Sequence, residues 1–90
     1  MASLTLDKSI YQAYTGGQVL NLDPKEFDIL WLLAEKPGKV FREKDLLNEL
    51  KKAHPMLDEN PFRKYIFQLR YKLNEKFIQV LDEGMYRFSF

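Results

Sequence analysis

The hydrophobic pattern of the first part of the chain has a period of two. Apolar and polar residues alternate over Leu4–Leu6, and β-prone residues recur in Ile10–Tyr14 and Val19–Leu22. Between the last two runs, Gly16-Gly17 supplies the positive φ angles that a tight hairpin requires. Residues 1–22 are therefore predicted to form a small antiparallel sheet.

A helical period follows. The run Asp23-Pro24-Lys25-Glu26 combines an N-cap aspartate, a proline at the first helical position and a glutamate that completes a capping box. Apolar residues then recur at helical spacing to about Lys36, where Pro37-Gly38 ends the helix. Because the middle of this helix is apolar almost all round, it is predicted to lie between other layers, with Trp31 in the core.

A second helix is predicted after a short extended link, Lys39–Phe41. It covers Glu43–Lys52 and turns three leucines inward. Its N-cap, Arg42, offers no side-chain acceptor, so this start is weaker than one capped by serine or threonine. Residues 53–59 are then predicted to form a loop, in which His54 is interpreted as a solvated residue, with a pH-sensitive contact as the alternative.

The third helix has two faces of different character. It is predicted to start at the cap-plus-proline pair Asn60-Pro61 and to end near Asn74. The stripe that keeps helical spacing is predicted to be core, with Tyr65 at its margin: Phe62, Ile66, Leu69 and Leu73. The opposite side is predicted to face outward, and it holds Lys64, Phe67, Gln68 and Tyr71.

The last segment indicates a terminal hairpin. Residues 77–81 and 86–90 are predicted strands, joined by the turn Asp82–Met85. Strands, three helices and a hairpin, in that order, describe a winged helix-turn-helix of the α+β class. The whole chain is predicted to be one domain made of an N-terminal sheet (1–22), a three-helix core (23–76) and a wing hairpin (77–90).

Composition excludes several classes of protein. The 90 residues include no cysteine and one histidine, so a disulfide scaffold, a Cys/His zinc site and a Ser-His-Asp or Cys-His nucleophile are not expected. No carboxylate pair, metal cluster or glycine-rich phosphate loop supports an enzyme, and we expect no catalytic residue, metal or cofactor. No apolar stretch approaches the roughly 20 residues that cross a bilayer, and a cytoplasmic protein without a membrane partner is expected.

Charge is distributed unevenly along the chain. The formal net charge is +1, but residues 60–81 carry five basic side chains against one acidic side chain. Residues 1–59 carry 8 basic and 10 acidic side chains. One basic element in an otherwise balanced chain is typical of an element that faces a polyanion, although a solvated helix face of mixed sign gives the same pattern.

Three ordered segments resemble the effector domain of OmpR/PhoB-type response regulators. Residues 22–41 resemble its first helix and following link, Ile66–Leu73 (IFQLRYKL) resembles its I-S/R-R-L-R-K-K-L helix, and residues 78–88 resemble its wing. The resemblance implies a bacterial transcription-regulator output domain that binds specific double-stranded DNA. In such a domain the third helix enters the major groove and the wing follows the neighbouring minor groove.

The resemblance also implies further partners. The loop at 53–60 is expected to touch RNA polymerase, and a receiver domain or a second copy of the chain is expected to join the domain. No receiver domain is present in these 90 residues, so the chain is expected to be a fragment or a stand-alone regulator. In the wing, Asp82-Glu83 replace the family's Arg-Gly, and phosphate repels these carboxylates unless they point away.

The predicted DNA interface contains base-facing and phosphate-facing residues. Lys64 can donate to guanine, Gln68 can pair with adenine in place of the family's arginine, and Phe67 can pack on a thymine methyl. The base-facing set is Asn60, Lys64, Phe67, Gln68 and Tyr71. Cations nearer the DNA backbone set the register of the helix in the groove. By resemblance, a wing tyrosine also reaches a phosphate. The predicted phosphate-facing residues are Arg42, Lys44, Arg63, Arg70, Lys72 and Tyr86.

A winged-helix protein-interaction module that has lost or weakened DNA binding is the alternative function. Phe67 and Tyr71 lie about one turn apart on the outward face, and exposed aromatic side chains are typical of protein interfaces.

Overall fold

The structure, a computed structural model, describes residues 3–82 and 84–89. Three helices and two small antiparallel sheets confirm the predicted α+β winged helix-turn-helix. Glu83 and Phe90, predicted in the wing turn and the last strand, lie outside the described residues. In chain order the elements are β1 (Leu4–Asp7), β2 (Gln12–Thr15), β3 (Gln18–Leu20), α1 (Pro24–Glu35), β4 (Val40–Arg42), α2 (Glu43–Leu50), α3 (Glu59–Lys72), β5 (Ile78–Val80) and β6 (Met85–Phe88).

The N-terminal sheet has the order β1-β2-β3, with both pairs antiparallel. Gly16 and Gly17 form the predicted turn, with φ angles of 56° and 82°. The second strand begins at Gln12 and not at Ile10, because Tyr11 leaves the extended conformation with a φ of 51°. The change of backbone direction at Tyr11 places the centroid of its ring 4.6 Å from the ring centroid of Phe27 on α1.

Helix α1 begins as predicted. The Asp23 side chain accepts a hydrogen bond from the Lys25 N–H at 2.9 Å. The capping box is also present, because the Asp23 side chain accepts from the Glu26 N–H and the Glu26 side chain accepts from the Asp23 N–H at 2.8 Å. Trp31 is half-buried, so its assignment to the core was wrong. Its ring lies at the edge of the core, where the Lys8 ammonium covers it at 5.1 Å from the centroid.

The C-terminal sheet contains three strands in the order β4-β6-β5. The predicted link at 39–41 overlaps β4, which pairs with β6 so that Phe41 lies opposite Tyr86. Immediately after β4, the Glu43 N–H donates to the Gly84 carbonyl at 2.7 Å. The start of α2 is therefore joined to the turn of the wing by the backbone.

Two helix boundaries differ from the predictions. Arg42 is the N-cap of α2, and it makes no side-chain capping bond within the described part of the chain; α2 ends at Leu50, two residues early. Helix α3 begins at Glu59 with Asp58 at the N-cap, so Asn60 lies in the first turn and is not the cap. Pro61 is compatible with this earlier start, because the first four N–H groups of a helix have no partner within it.

The core lies between the helices and the wing sheet. The predicted stripe of α3 is buried in full, with exposed fractions from 0% to 4%. It packs with α1, α2 and the wing through a cluster that includes Leu30, Leu33, Leu46, Leu50, Ile78 and Phe88. Among the described residues, no helix combines the length and the apolar character that crossing a membrane requires.

Candidate nucleic-acid interface

The outward face of α3 is open to solvent. Phe67 and Tyr71 are 70% and 77% exposed, and Asn60 and Lys64 are also exposed. Gln68 is half-buried and lies at the margin of this face. Four of the five predicted base-facing side chains thus share one accessible surface, and the fifth borders it.

Arg63 lies on one flank of this face and is bound to α2. Its Nε and Nη2 donate to the two carboxylate oxygens of Glu43 at 2.9 and 3.1 Å. The Arg63 side chain is 58% exposed, whereas that of Glu43 is 16% exposed. The hydrogen bonds to Glu43, followed by the charge of that carboxylate, raise the pKa of Arg63 above its ordinary value.

Arg70 and Tyr86 complete this flank. Arg70 follows Arg63 by seven residues, or about two helical turns, so both lie on the same side of α3. Tyr86 is 8% exposed and belongs to the core; burial, and then the nearby charge of Glu43, raise its pKa, while Arg63 and Arg70 oppose the rise. Nε of Arg70 is buried and has no hydrogen-bond partner among the described residues. Three predicted phosphate-facing residues therefore meet where α2, α3 and β6 join.

Lys72 lies near the other end of α3 and contacts α1. Its ammonium is 2.7 Å from Oε1 of Glu26, the same oxygen that accepts the Asp23 N–H. The Glu26 side chain is 0% exposed, and its other oxygen has no partner in the described part of the chain. Sequence reasoning missed this pair, because it gave Glu26 only a local capping role and the two residues are 46 positions apart.

Arg42 and Lys44 are both exposed at the junction of β4 and α2. Arg42 lies opposite Met85 in the wing sheet, and Lys44 follows Glu43 in the first turn of α2. Their phosphate contacts, like those of the other predicted residues, remain predictions.

A polar cluster outside this surface was also missed. The Tyr11 hydroxyl donates to Oδ1 of Asp28, and His54 Nε2 lies 2.7 Å from Oδ2 of the same carboxylate. His54 is thus half-buried, and its assignment as a solvated residue was wrong. Within residues 3–82 and 84–89, no group of three or more histidine, aspartate or glutamate side chains is arranged to hold a metal ion.

Comparison with known proteins gives the family. The family model described as "Transcriptional regulatory protein, C terminal" matches residues 17–88, which include α1, α2, α3 and the wing. The chain belongs to this family. The transcriptional regulatory protein BaeR of Escherichia coli is 37% identical over 70 residues, which are 78% of this chain and 29% of BaeR. The family therefore confirms the resemblance to OmpR/PhoB-type effector domains, and the chain spans less than a third of BaeR.

Two solved structures of DNA-binding domains have the same fold. The DNA-binding domain of CssR from Bacillus subtilis matches with a TM-score of 0.81 and 23% identity, covering 97% of this chain and 100% of that one. The RstA DNA-binding domain from Klebsiella pneumoniae, in complex with the RstA box, matches with a TM-score of 0.77 and 28% identity, covering 97% and 91%.

Proposed function

We propose that this chain is the DNA-binding output domain of a bacterial transcription regulator, and that α3 reads specific bases in the major groove. The observation that carries the proposal is the open face of α3, where Lys64 and two aromatic side chains are presented beside Gln68. An α-helix fits the major groove, and these side chains match base edges there: lysine to guanine, glutamine to adenine and phenylalanine to a thymine methyl.

The surroundings of that face support the proposal. Arg63 and Arg70 flank it beside the wing, and Arg42 and Lys44 are exposed at the start of α2. Cations at such positions contact phosphates and set the register of a helix in the groove, without reading sequence. The RstA complex shows a relative of 28% identity bound to its DNA box, which supports the same use of the fold here.

The proposal extends to partners and setting. We propose that the chain binds DNA and catalyses no reaction, and that it acts in the cytoplasm. Its proposed partners are RNA polymerase, which the 53–60 loop contacts, and a receiver domain or a second copy of the chain. The exposed loop tip supports the polymerase contact, because Met56 is 91% exposed there. Asp82 is exposed in the wing turn, so the wing is proposed to add little attraction for phosphate.

A protein-interaction module is the second candidate. The high exposure of Phe67 and Tyr71 favours it, because aromatic residues are enriched at protein interfaces.

Duplex titration of substituted chains tests the main proposal. Duplexes are first selected from a random pool with the purified chain, and binding to selected and random duplexes is then compared. We expect Lys64→Ala and Gln68→Ala to lower affinity for the selected duplex more than for the random one, because base contacts carry the preference; a good bidentate contact contributes about 1–3 kcal/mol, and a single lysine contact less. Arg70→Ala is expected to lower the affinity for the selected duplex and for the random duplex by the same factor.

The matched control is Lys76→Ala, which removes an exposed cation that lies beyond the end of α3. Equal losses on both duplexes for all three substitutions would exclude base reading by α3. Absence of duplex binding, combined with self-association that Phe67→Ala abolishes, would favour the protein-interaction module.

A further inference from the structure

Glu43 forms an ion pair with Arg63, a cation that a DNA-binding surface would use to bind phosphate. It holds Arg63 through two hydrogen bonds of 2.9 and 3.1 Å, and a fork of this kind is also how arginine binds phosphate. We propose that Glu43 is an internal competitor of the DNA backbone, which holds Arg63 in the free protein and so lowers the salt-dependent part of DNA affinity by about one phosphate contact. This inference rests on the proposed function.

The position of Glu43 makes it a persistent competitor. Its N–H is bonded to the Gly84 carbonyl at 2.7 Å, and its side chain is largely enclosed while that of Arg63 remains open to solvent. The carboxylate is therefore fixed between the wing turn and α3. An approaching phosphate meets a guanidinium that already has an anionic partner.

The consequence for binding follows from the exchange of partners. If phosphate replaces the carboxylate, Arg63 loses one charge-assisted fork and gains another, so the exchange yields little net attraction. If it does not, the carboxylate stays close to the phosphate and repels it. In both cases Arg63 contributes less than a free arginine at the same place, and Arg70 becomes the main cation of this flank.

The surrounding charges act in the same direction. Tyr86, in the adjacent wing strand, is a buried phenol that is neutral at neutral pH and adds no positive charge. Glu59 lies in the first turn of α3 and adds a second carboxylate near Arg63. The junction of α2, α3 and β6 therefore has a smaller positive field than the number of its arginines suggests.

Glu43→Gln is the decisive substitution. It keeps the size and an oxygen acceptor of the side chain but removes the charge, and it leaves the Glu43 backbone bond to Gly84 in place. We expect higher affinity for random and selected duplexes alike, with a salt slope steeper by about 0.9, the value for one additional neutralised phosphate. The gain in affinity at about 50 mM salt should then exceed the gain at about 200 mM by about 3.5-fold.

Two controls separate this role from a general charge effect. Glu49→Gln removes the same charge from α2 at a residue that pairs with Lys52 and not with α3, so it should change the salt slope less. In an Arg63→Ala background, Glu43→Gln should lose most of its effect, because no arginine is then released and only the repulsion between the carboxylate and phosphate is relieved. Thermal unfolding of each chain verifies that all of them are folded at the titration temperature.

The outcomes distinguish a failure of this inference from a failure of the proposed function. A Glu43→Gln slope equal to that of Glu49→Gln, or a loss of affinity on Glu43→Gln, would overturn the inference and leave the proposed function standing if the parent still binds duplex DNA. Retention of the full gain without Arg63 would also overturn it. Absence of duplex binding by the parent and every variant would overturn both.

Discussion

Replacing Lys72 with methionine tests a structural role of this lysine, which the sequence predicts as a phosphate contact. The substitution keeps an unbranched apolar stem but removes the ammonium that lies 2.7 Å from Oε1 of Glu26. The fully buried Glu26 carboxylate then keeps the Asp23 N–H as its one hydrogen-bond donor among the described residues. A charge left in this condition should destabilise the folded state.

The magnitude follows from burial. Removing one partner of a buried ion pair costs about 3–5 kcal/mol, because the other charge is left without compensation. The Lys72 side chain is 36% exposed, so water can reach the vacated position. We therefore expect a loss of about 2–3 kcal/mol in the free energy of unfolding, below the fully buried case. For a chain of this size, that corresponds to a fall in Tm of about 10–20 °C.

Urea and thermal unfolding, followed by circular dichroism, measure this loss. Lys76→Met is the matched control, because it removes an exposed lysine beyond α3 and should leave the free energy of unfolding nearly unchanged. Glu26→Gln combined with Lys72→Met should recover most of the loss, since no charge is then buried. A Lys72→Met chain as stable as the Lys76→Met control would refute the reasoning.

Two further predictions concern the polar cluster on α1 and the buried wing tyrosine. Asp28→Asn should lower the free energy of unfolding by about 1–2 kcal/mol in urea titrations, because the carboxylate that binds both Tyr11 and His54 is lost. Unchanged stability would show that these two hydrogen bonds contribute no more than the bonds that the same groups make with water. Tyr86→Phe should reduce the loss of stability at alkaline pH: a folded-state pKa raised above 10.0 contributes stability that is complete below about pH 10 and is lost as the pH rises through the folded value. Parallel Tm curves of parent and variant from about pH 9 to 11 would contradict this assignment.

Local signals predicted most of the helical part of the fold. The capping box at Asp23 was located correctly because all of its partners lie within four residues. The same signature at Asn60-Pro61 was placed too late, because proline is tolerated at several positions of the first turn and not at one alone. The stripe of α3 was correct because burial along a helix follows its period.

Contacts between distant segments could not be predicted in this way. The pairing of β4 with β6 depends on where the wing folds back, and nothing in Val40–Arg42 itself indicates a partner. Likewise Arg63 and Lys72 read as free cations in the sequence, whereas the structure pairs each with a carboxylate on another helix. The net charge of the candidate interface is therefore a property of the fold, which composition alone does not give.

The bond between the Glu43 N–H and the Gly84 carbonyl has a mechanical consequence. Together with the β4-β6 pairing, it joins the wing turn to the first turn of α2 through the backbone, and the core cluster packs α3 against the same sheet. These contacts hold α3 and the wing, the two elements that would lie against a duplex, at one spacing. We expect the nucleic acid to adjust to the protein, so that sequences whose grooves widen or narrow at low cost are preferred even at base pairs that no side chain touches.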